Sequence, residues 1–574
     1  MLKSNLNYIN TILENKYKNN VKIYFIFSIL IALLETIGVG IIPGVLAFLL
    51  DKNIILEKLK FNEDLYIFMF DLLKSDNLFI LTAVTIFVFF LTKVIINLVF
   101  IVFESKLFNN IKINLSSSMF EIYLKKNYLF HSSNNPIILG RNISSEVNST
   151  VSYIKSLILL IKEIVQVLLI GLLLLFASFK VSILIFFLLF FIGLIYFKIV
   201  ANPFREKVKV AFYERGEKSK IINQILNSII EIKLYRKASF FIKKFNESIS
   251  REFKSLVFYE IITKVPRQII ELLIISLMSF VIFYLPKVGI NIEAVISVIL
   301  LYFFAALRIY PSINNIINSR LGLLQNEISI KTVYENIKNK NDSTEDIHED
   351  YKKFEFKNNI QIKNLSFNYP ERNQILKNID LAISKNEIIG IVGKTGSGKS
   401  TLLKIIMGLI KHTGGNITID GIRIEDIKNE WQNNFAYIPQ NYYILDDTVL
   451  NNIVFGEDED KINHELLNRS IKFASLNNFI DQLPNKLKTI VGPNGKKISG
   501  GQAQRLAIAR AIYRDPGIIV LDEATNSLDD KTEMEILDKI YKLKGKKTIL
   551  IITHNKKILD DCDKIYNIEN GYLK

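Results

Sequence analysis

The sequence predicts two unlike parts in series, an all-α domain of membrane type with six apolar helices and then an α/β nucleotide-binding domain. Three observations carry this. Apolar residues make up 49% of the 574 and are concentrated in the first half, in runs that approach the roughly 20 residues needed to cross a bilayer. Residues Gly393–Thr401 read Gly-Lys-Thr-Gly-Ser-Gly-Lys-Ser-Thr, the spacing of a phosphate-binding P-loop. Around that loop, short β-type runs (Ile360–Ile362, Ile388–Val392, Ile417–Ile419) alternate with helical stretches, as in a mostly parallel sheet covered by helices.

Six spans follow from the apolar runs, at about Val21–Leu50, Leu78–Phe103, Ile154–Phe176, Val181–Val200, Ile269–Tyr284 and Ala294–Tyr310. The first carries Gly38, Gly40, Pro43 and Gly44, so a kink or a helix continuing beyond the bilayer is expected there. The segment before Val21 is polar and no small-residue cleavage site follows a short apolar run, so no cleavable leader is read.

Net charge is +16, but the basic residues flank apolar runs instead of forming one cluster, which argues for membrane-flanking charge and against nucleic acid. Lys106, Lys112, Lys125, Lys126 and Arg141 follow the second span, and Arg205 to Lys244 follow the fourth. The segment Asp51–Asn77 is acidic instead. Basic loops face the cytoplasm, so both termini are expected there. Abundant Lys, Asn and Ile suggest an AT-rich bacterial genome and hence the inner membrane. The single cysteine, Cys562, excludes an intrachain disulfide framework or a cysteine-based metal cluster.

Apolar residues at helical spacing in Phe108–Lys126 and Val208–Tyr235 predict helices running well past the membrane, with turns near Asn134–Arg141 and Asn227–Lys233. Residues 336–353 are rich in Asn, Asp, Glu and Lys without apolar period, which marks a linker. The membrane part is therefore read as residues 1–335 and the nucleotide domain as residues 354–574.

In the P-loop, backbone N–H groups of Gly393, Lys394, Thr395, Gly396, Ser397, Gly398, Lys399, Ser400 and Thr401 suit nucleotide phosphates. Lys399 is placed for the β/γ-phosphates and Ser400 for Mg²⁺. The run Ile518–Leu521 is a buried strand ending in two carboxylates, Asp522 and Glu523. Asp522 suits Mg²⁺ through water, and Glu523 suits the role of general base toward an attacking water. Ser499-Gly500-Gly501-Gln502 forms a turn at a helix start, whose N–H groups suit a γ-phosphate.

A P-loop and Ile498-Ser-Gly-Gly-Gln502 in one chain resemble one family, the ABC ATPases. The resemblance covers the whole C-terminal domain, so ABC-type subdomains are expected in it. It implies that Tyr369 stacks on adenine, that Gln440 is the Q-loop ligand of Mg²⁺ and water, and that Ser527-Leu528-Asp529 is the D-loop. His554 would be the switch histidine on the γ-phosphate, although a lone histidine after a strand is more often structural. The catalytic set is thus Glu523, His554 and Gln440, and the Mg²⁺ ligands are Ser400, Gln440 and Asp522. Ile498 replaces the usual leucine of the signature, a near-isosteric swap. In Gly492-Pro493-Asn494-Gly495, many exporters have an acidic residue where Pro493 or Asn494 stands, which puts that loop's electrostatic link to the coupling helices in doubt. In this family a P-loop pairs with the signature of another domain, so one copy of each motif implies a half-transporter, a C₂ homodimer with ATP and Mg²⁺ in two sites. Six spans ahead of the nucleotide domain match the exporter arrangement, in which the two cytoplasmic turns are coupling helices.

Glu35 stands inside the first apolar run and Arg308 near the end of the last. Charges within spans default to functional readings, although a helix-to-helix hydrogen bond serves Glu35 equally well and Arg308 could snorkel or pair with Glu35. The combination is similar to flippases of lipid-linked oligosaccharides, whose pyrophosphate suits a basic cavity. An amphipathic pattern in Ile54–Leu73 suits a helix lying on the outer membrane face. The expected function is ATP-driven movement of an amphipathic substrate, such as a polyprenyl-pyrophosphate glycan, across the inner membrane. The alternative is export of peptides, drugs or other lipids.

Overall fold

The computed structural model describes residues 2–50, 78–177, 179–284, 292–341, 345, 352–370, 374–523, 529–553 and 556–574. The chain divides into two compact units, residues 1–126 with 133–344, and residues 127–132 with 345–574.

The first unit is helical. A short helix, α1 (Leu2–Ile12), precedes α2 (Asn15–Leu50) and α3 (Leu78–Lys125). Two short helices follow in the chain, α4 (Tyr128–Ser133), whose residues 128–132 fall in the second unit, and α5 (Pro136–Arg141). Then come α6 (Val147–Ala177), α7 (Phe179–Asn227), the short α8 (Ile229–Leu234), α9 (Ala238–Tyr284) and α10 (Ile292–Lys338). Each expected span falls within one long helix. Among the described residues four segments are long and apolar enough to cross a membrane: Asn15–Val45, Thr82–Lys125, Pro136–Phe176 and Leu300–Lys338. The fourth and fifth expected spans lie in α7 and α9, where most side chains fall outside the described residues. Helix α2 is unbroken through Pro43 and ends at Leu50. The expected outer helix Ile54–Leu73 lies outside the described residues.

The turn expected near Asn134–Arg141 holds α5, and a further short helix, α4, precedes it, opened by Asn127 Oδ1, which accepts from Phe130 N at 2.9 Å. Asn135 then caps α5, accepting from Ile137 N, with Pro136 at the first helical position.

A seam between α6 and α10 is polar. Arg308 Nη2 donates to Gln166 Oε1 at 3.3 Å and Asn315 Nδ2 to Glu163 Oε1 at 3.1 Å. A Cβ on Gly322 would lie 2.8 Å from Ser156 Oγ. Rising numbers on α10 meet falling numbers on α6, so the two helices run antiparallel.

The second unit holds two sheets. Strands β1 (Asn359–Asn368), β2 (Gln374–Ser384), β4 (Gly414–Ile419) and β5 (Ile422–Arg423) form an antiparallel sheet in the order β2-β1-β4-β5. The other sheet has the order β10-β9-β3-β8-β7-β6. It uses β3 (Ile388–Val392), β6 (Phe435–Ile438), β7 (Ile518–Asp522), β8 (Thr548–Ile552), β9 (Lys564–Glu569) and β10 (Tyr572–Leu573). From β9 to β6 all neighbours are parallel. Strands β7 and β8 are buried along their full length, as continuous apolar runs covered on both faces should be.

Three helices shape the site. They are α11 (Lys399–Ile406) after the P-loop, α12 (Lys428–Gln432), and α16 (Gly500–Tyr513) after the signature. Between them lie α13 (Val449–Val454), α14 (His464–Phe473) and α15 (Asn477–Gln482), and α17 (Asp530–Tyr541) and α18 (Lys556–Leu559) complete the set. Trp431 of α12 is fully buried and donates Nε1–H to Ile406 O at 2.8 Å, tying α12 to the last turn of α11.

Candidate functional site

In a parallel sheet, ligands gather at the carboxyl ends of the strands, and here β3, β7 and β8 end together. Strand β3 ends at Val392, and the P-loop follows it into α11. Gly393 has φ +147° and lies so close to Ile568 that an added Cβ would sit 2.3 Å from its carbonyl oxygen. Gly398 caps α11 at φ +107°, where a Cβ would meet Leu376 at 2.7 Å. Both positions require glycine. The loop therefore folds tightly between β3 and the N-terminus of α11, the end of a helix that suits an anion.

Lys399 is buried and reaches back over the loop, donating to Gly393 O at 2.7 Å and Lys394 O at 3.1 Å. Burial lowers its pKa, opposed by the charges of Glu523 and Asp522. Ser397 Oγ is buried without a hydrogen-bond partner among the described residues. A buried hydroxyl left without a partner in this glycine-rich loop fits a polyphosphate oxygen.

Ser400 Oγ donates to Asp522 Oδ1 at 3.1 Å. Tyr437 OH, on neighbouring β6, donates to Asp522 Oδ2 at 3.0 Å. Burial first, and then the Asp522 charge, push the Tyr437 pKa up, so this phenol stays a donor. Glu523 has φ +50°, a strained value for a residue with a side chain. Its N–H is held by Ile552 O at 3.0 Å, and Gln440 Nε2 donates to its Oε2 at 2.8 Å.

The signature segment starts α16. Ser499 Oγ accepts from Gln502 N at 3.2 Å, and Gln502 Oε1 accepts from Ser499 N at 2.9 Å. This capping box leaves the first N–H groups of α16, at Gly500 and Gly501, facing outward. Tyr442 OH donates to Gly500 O at 2.8 Å, linking the segment after Gln440 to the signature. Tyr369 is half-buried, edge-on to Phe367 at 4.9 Å, with its hydroxyl 3.4 Å from Thr401 Oγ1. Asp529 caps α17, accepting from Thr532 N and Oγ1 at 3.1 Å, and those bonds lower its pKa. His554 and Ser527-Leu528 lie outside the described residues.

The structure thus brings Lys399, Ser400, Asp522, Glu523 and Gln440 to one strand end. Tyr437 and Tyr442 were not singled out from sequence. Both flank Gln440, in Tyr437-Ile-Pro-Gln440-Asn-Tyr442, and that closeness was the available signal.

In the helical unit, Glu35 and Arg308 form an ion pair. Gln166, fully buried, bridges them, donating to Glu35 Oε2 at 2.8 Å and accepting from Arg308. Both the helix-to-helix hydrogen bond expected for Glu35 and its pairing with Arg308 are seen here.

A phosphate-cradling loop between β3 and α11, with two carboxylates at the end of β7, on the far side of β8, defines a P-loop nucleotide-binding domain. Residues 376–526 match the family model for ABC transporters. Among curated relatives, the ATP-dependent lipid A-core flippase of Pasteurella multocida is 36% identical over 217 residues, 38% of this chain and 37% of that protein. A multidrug resistance ABC transporter ATP-binding and permease protein of Lactococcus lactis is 37% identical over 215 residues, 37% of this chain and 36% of that protein. The lactococcin-G-processing and transport ATP-binding protein of the same species is 38% identical over 219 residues, 38% of this chain and 31% of that protein. The matched stretch of this chain spans about a third of these relatives' length. A bacterial Atm1-family ABC exporter with ATP bound aligns over 98% of this chain and 95% of its own, at TM-score 0.67 and 18% identity. Residues 376–526 are thus similar to the ABC transporter ATPases, and the chain as a whole has the ABC-exporter fold.

Proposed function

We propose that this chain is an exporter-type half-transporter that hydrolyses ATP to move an amphipathic substrate across the bacterial inner membrane. The observation that carries the reading is the joining, in one chain, of a phosphate cradle facing two carboxylates to helices long and apolar enough to cross a bilayer. Two copies would make two ATP sites, each with Lys399 of one copy and Ser499 of the other. The termini would be cytoplasmic, as loop charge requires.

The chemistry follows from the residues. The P-loop N–H groups and Lys399 bind the phosphates and offset charge that develops on them. Glu523 Oε2 accepts the proton of the attacking water, and Gln440 holds that carboxylate in place. Tyr369 offers a ring to adenine, and His554 a contact to the γ-phosphate. Ser400 and Asp522, with Gln440, form an oxygen donor set that suits Mg²⁺. The ion, when bound, supplies charge neutralisation on the phosphates.

For the cargo, we favour a lipid-linked oligosaccharide carrying a pyrophosphate. Support comes from Arg308, a cation in an apolar helix whose Nε is buried without a partner among the described residues. The pyrophosphate would compete with Glu35 for this guanidinium. The lipid A-core flippases named among the relatives are consistent with lipid cargo, whereas the Lactococcus relatives favour a second reading, drug or peptide export. Reconstituted vesicles decide between them: ATP should drive a polyprenyl-pyrophosphate glycan across, and movement of a peptide or drug instead would favour the alternative.

A further inference from the structure

Lys93 stands in α3 within the apolar run Leu78–Phe103, ten residues before its end. That is about 15 Å along a helix, more than a lysine stem can span to reach water. Its ammonium lies 5.5 Å from the Phe90 ring centre, and among the described residues no carboxylate pairs with it. It sits over Gly38 of α2, where an added Cβ would lie 3.5 Å from Nζ. Gly38 is one turn from Glu35, whose charge is already matched by Arg308. Lys93 therefore adds beside that pair, within the apolar run, one positive charge that no carboxylate among the described residues matches. Such a charge is costly unless an anion meets it. Around it on α3, Val88, Leu91 and Val94 are exposed, a surface that suits an anion carried on an apolar tail.

We propose that Lys93 contacts the phosphate of a lipid-borne headgroup and selects anionic over neutral cargo. The inference rests on the flippase reading for its biological meaning, but binding tests it separately. Purified full-length protein in nanodiscs is titrated with a polyprenyl diphosphate and with the neutral polyprenol of equal length. The native chain should prefer the diphosphate, and Lys93→Met, which keeps the stem and removes the charge, should lose that preference by about tenfold while binding polyprenol unchanged. Lys93→Arg should stay within about threefold of the native chain, because the charge survives. Equal diphosphate binding by the native chain and Lys93→Met overturns the proposal, as does a native chain without preference for the diphosphate. Displacement of the lipid by an equal concentration of inorganic pyrophosphate would make the ligand a free anion and overturn the lipid-borne assignment. If the native chain prefers the diphosphate yet moves none in vesicles, the lysine contact stands and the flippase reading fails.

Discussion

Gln440 Nε2 donates to Glu523 Oε2 at 2.8 Å, so the residue proposed as base is oriented by a residue two positions past the end of β6. With φ at +50°, Glu523 is held by its N–H bond to Ile552 and by this amide. Replacing Glu523 by Gln keeps the shape and removes the base. ATP binding should persist while turnover falls by about 10²- to 10⁴-fold. Nucleotide binding beside steady-state phosphate release checks this, and native-like turnover removes Glu523 from the role.

Tyr437→Phe deletes the hydroxyl that donates to Asp522 Oδ2 at 3.0 Å. Losing one hydrogen bond to a charged group costs about 1.5–3 kcal/mol. The expected outcome is a higher Mg²⁺ concentration for half-maximal ATPase activity, with ATP binding in the absence of metal little changed. A Mg²⁺ titration of both proteins reads the shift.

Tyr437 shows why part of the site was hidden in the sequence. The P-loop, the paired carboxylates and the signature are legible because backbone geometry and phosphate chemistry force residue types at fixed spacing. Tyr437 acts through strand register, with β6 lying beside β7, and register does not appear in spacing. Gln166 was missed for a related reason. A glutamine in an apolar run carries no charge to mark it, and only the packing of α2, α6 and α10 shows it bridging Glu35 and Arg308. Lys93 was hidden because one cation in a long hydrophobic window hardly lowers its mean hydropathy. The strands were readable because β3, β7 and β8 are short apolar runs bounded by turn signals.

Mixing Lys399→Ala chains with Ser499→Arg chains should restore partial ATPase activity that neither has alone, because one of the two composite sites then carries no lesion. Subunit exchange followed by an activity assay tests this. Hydrolysis by a strict monomer contradicts the shared site.

Trp431 is fully buried, edge-on to Phe435 at 5.0 Å and Phe356 at 5.6 Å. Trp431→Ala should destabilise the nucleotide domain by about 3–5 kcal/mol and loosen the end of α11 through the lost bond to Ile406. Thermal unfolding of the full chain with and without ATP measures both effects.

Arg308→Ala leaves Glu35 without its cation, and breaking a buried pair from one side costs about 3–5 kcal/mol. The pair Glu35→Gln with Arg308→Met removes both charges and should recover much of that stability without recovering transport. Arg308→Lys should keep part of the transport, because charge survives while the guanidinium geometry is lost. Stability regained together with full transport would assign the pair to packing alone.

The most direct test of the central claim is ATP-dependent movement of a polyprenyl-pyrophosphate glycan across vesicles holding the purified chain. The native protein should move it with ATP and Mg²⁺ present, Glu523→Gln should leave it in the starting leaflet, and Arg308→Ala should slow it more than it slows ATP hydrolysis. Equal movement by the native protein and Glu523→Gln, or movement without ATP, would contradict the account.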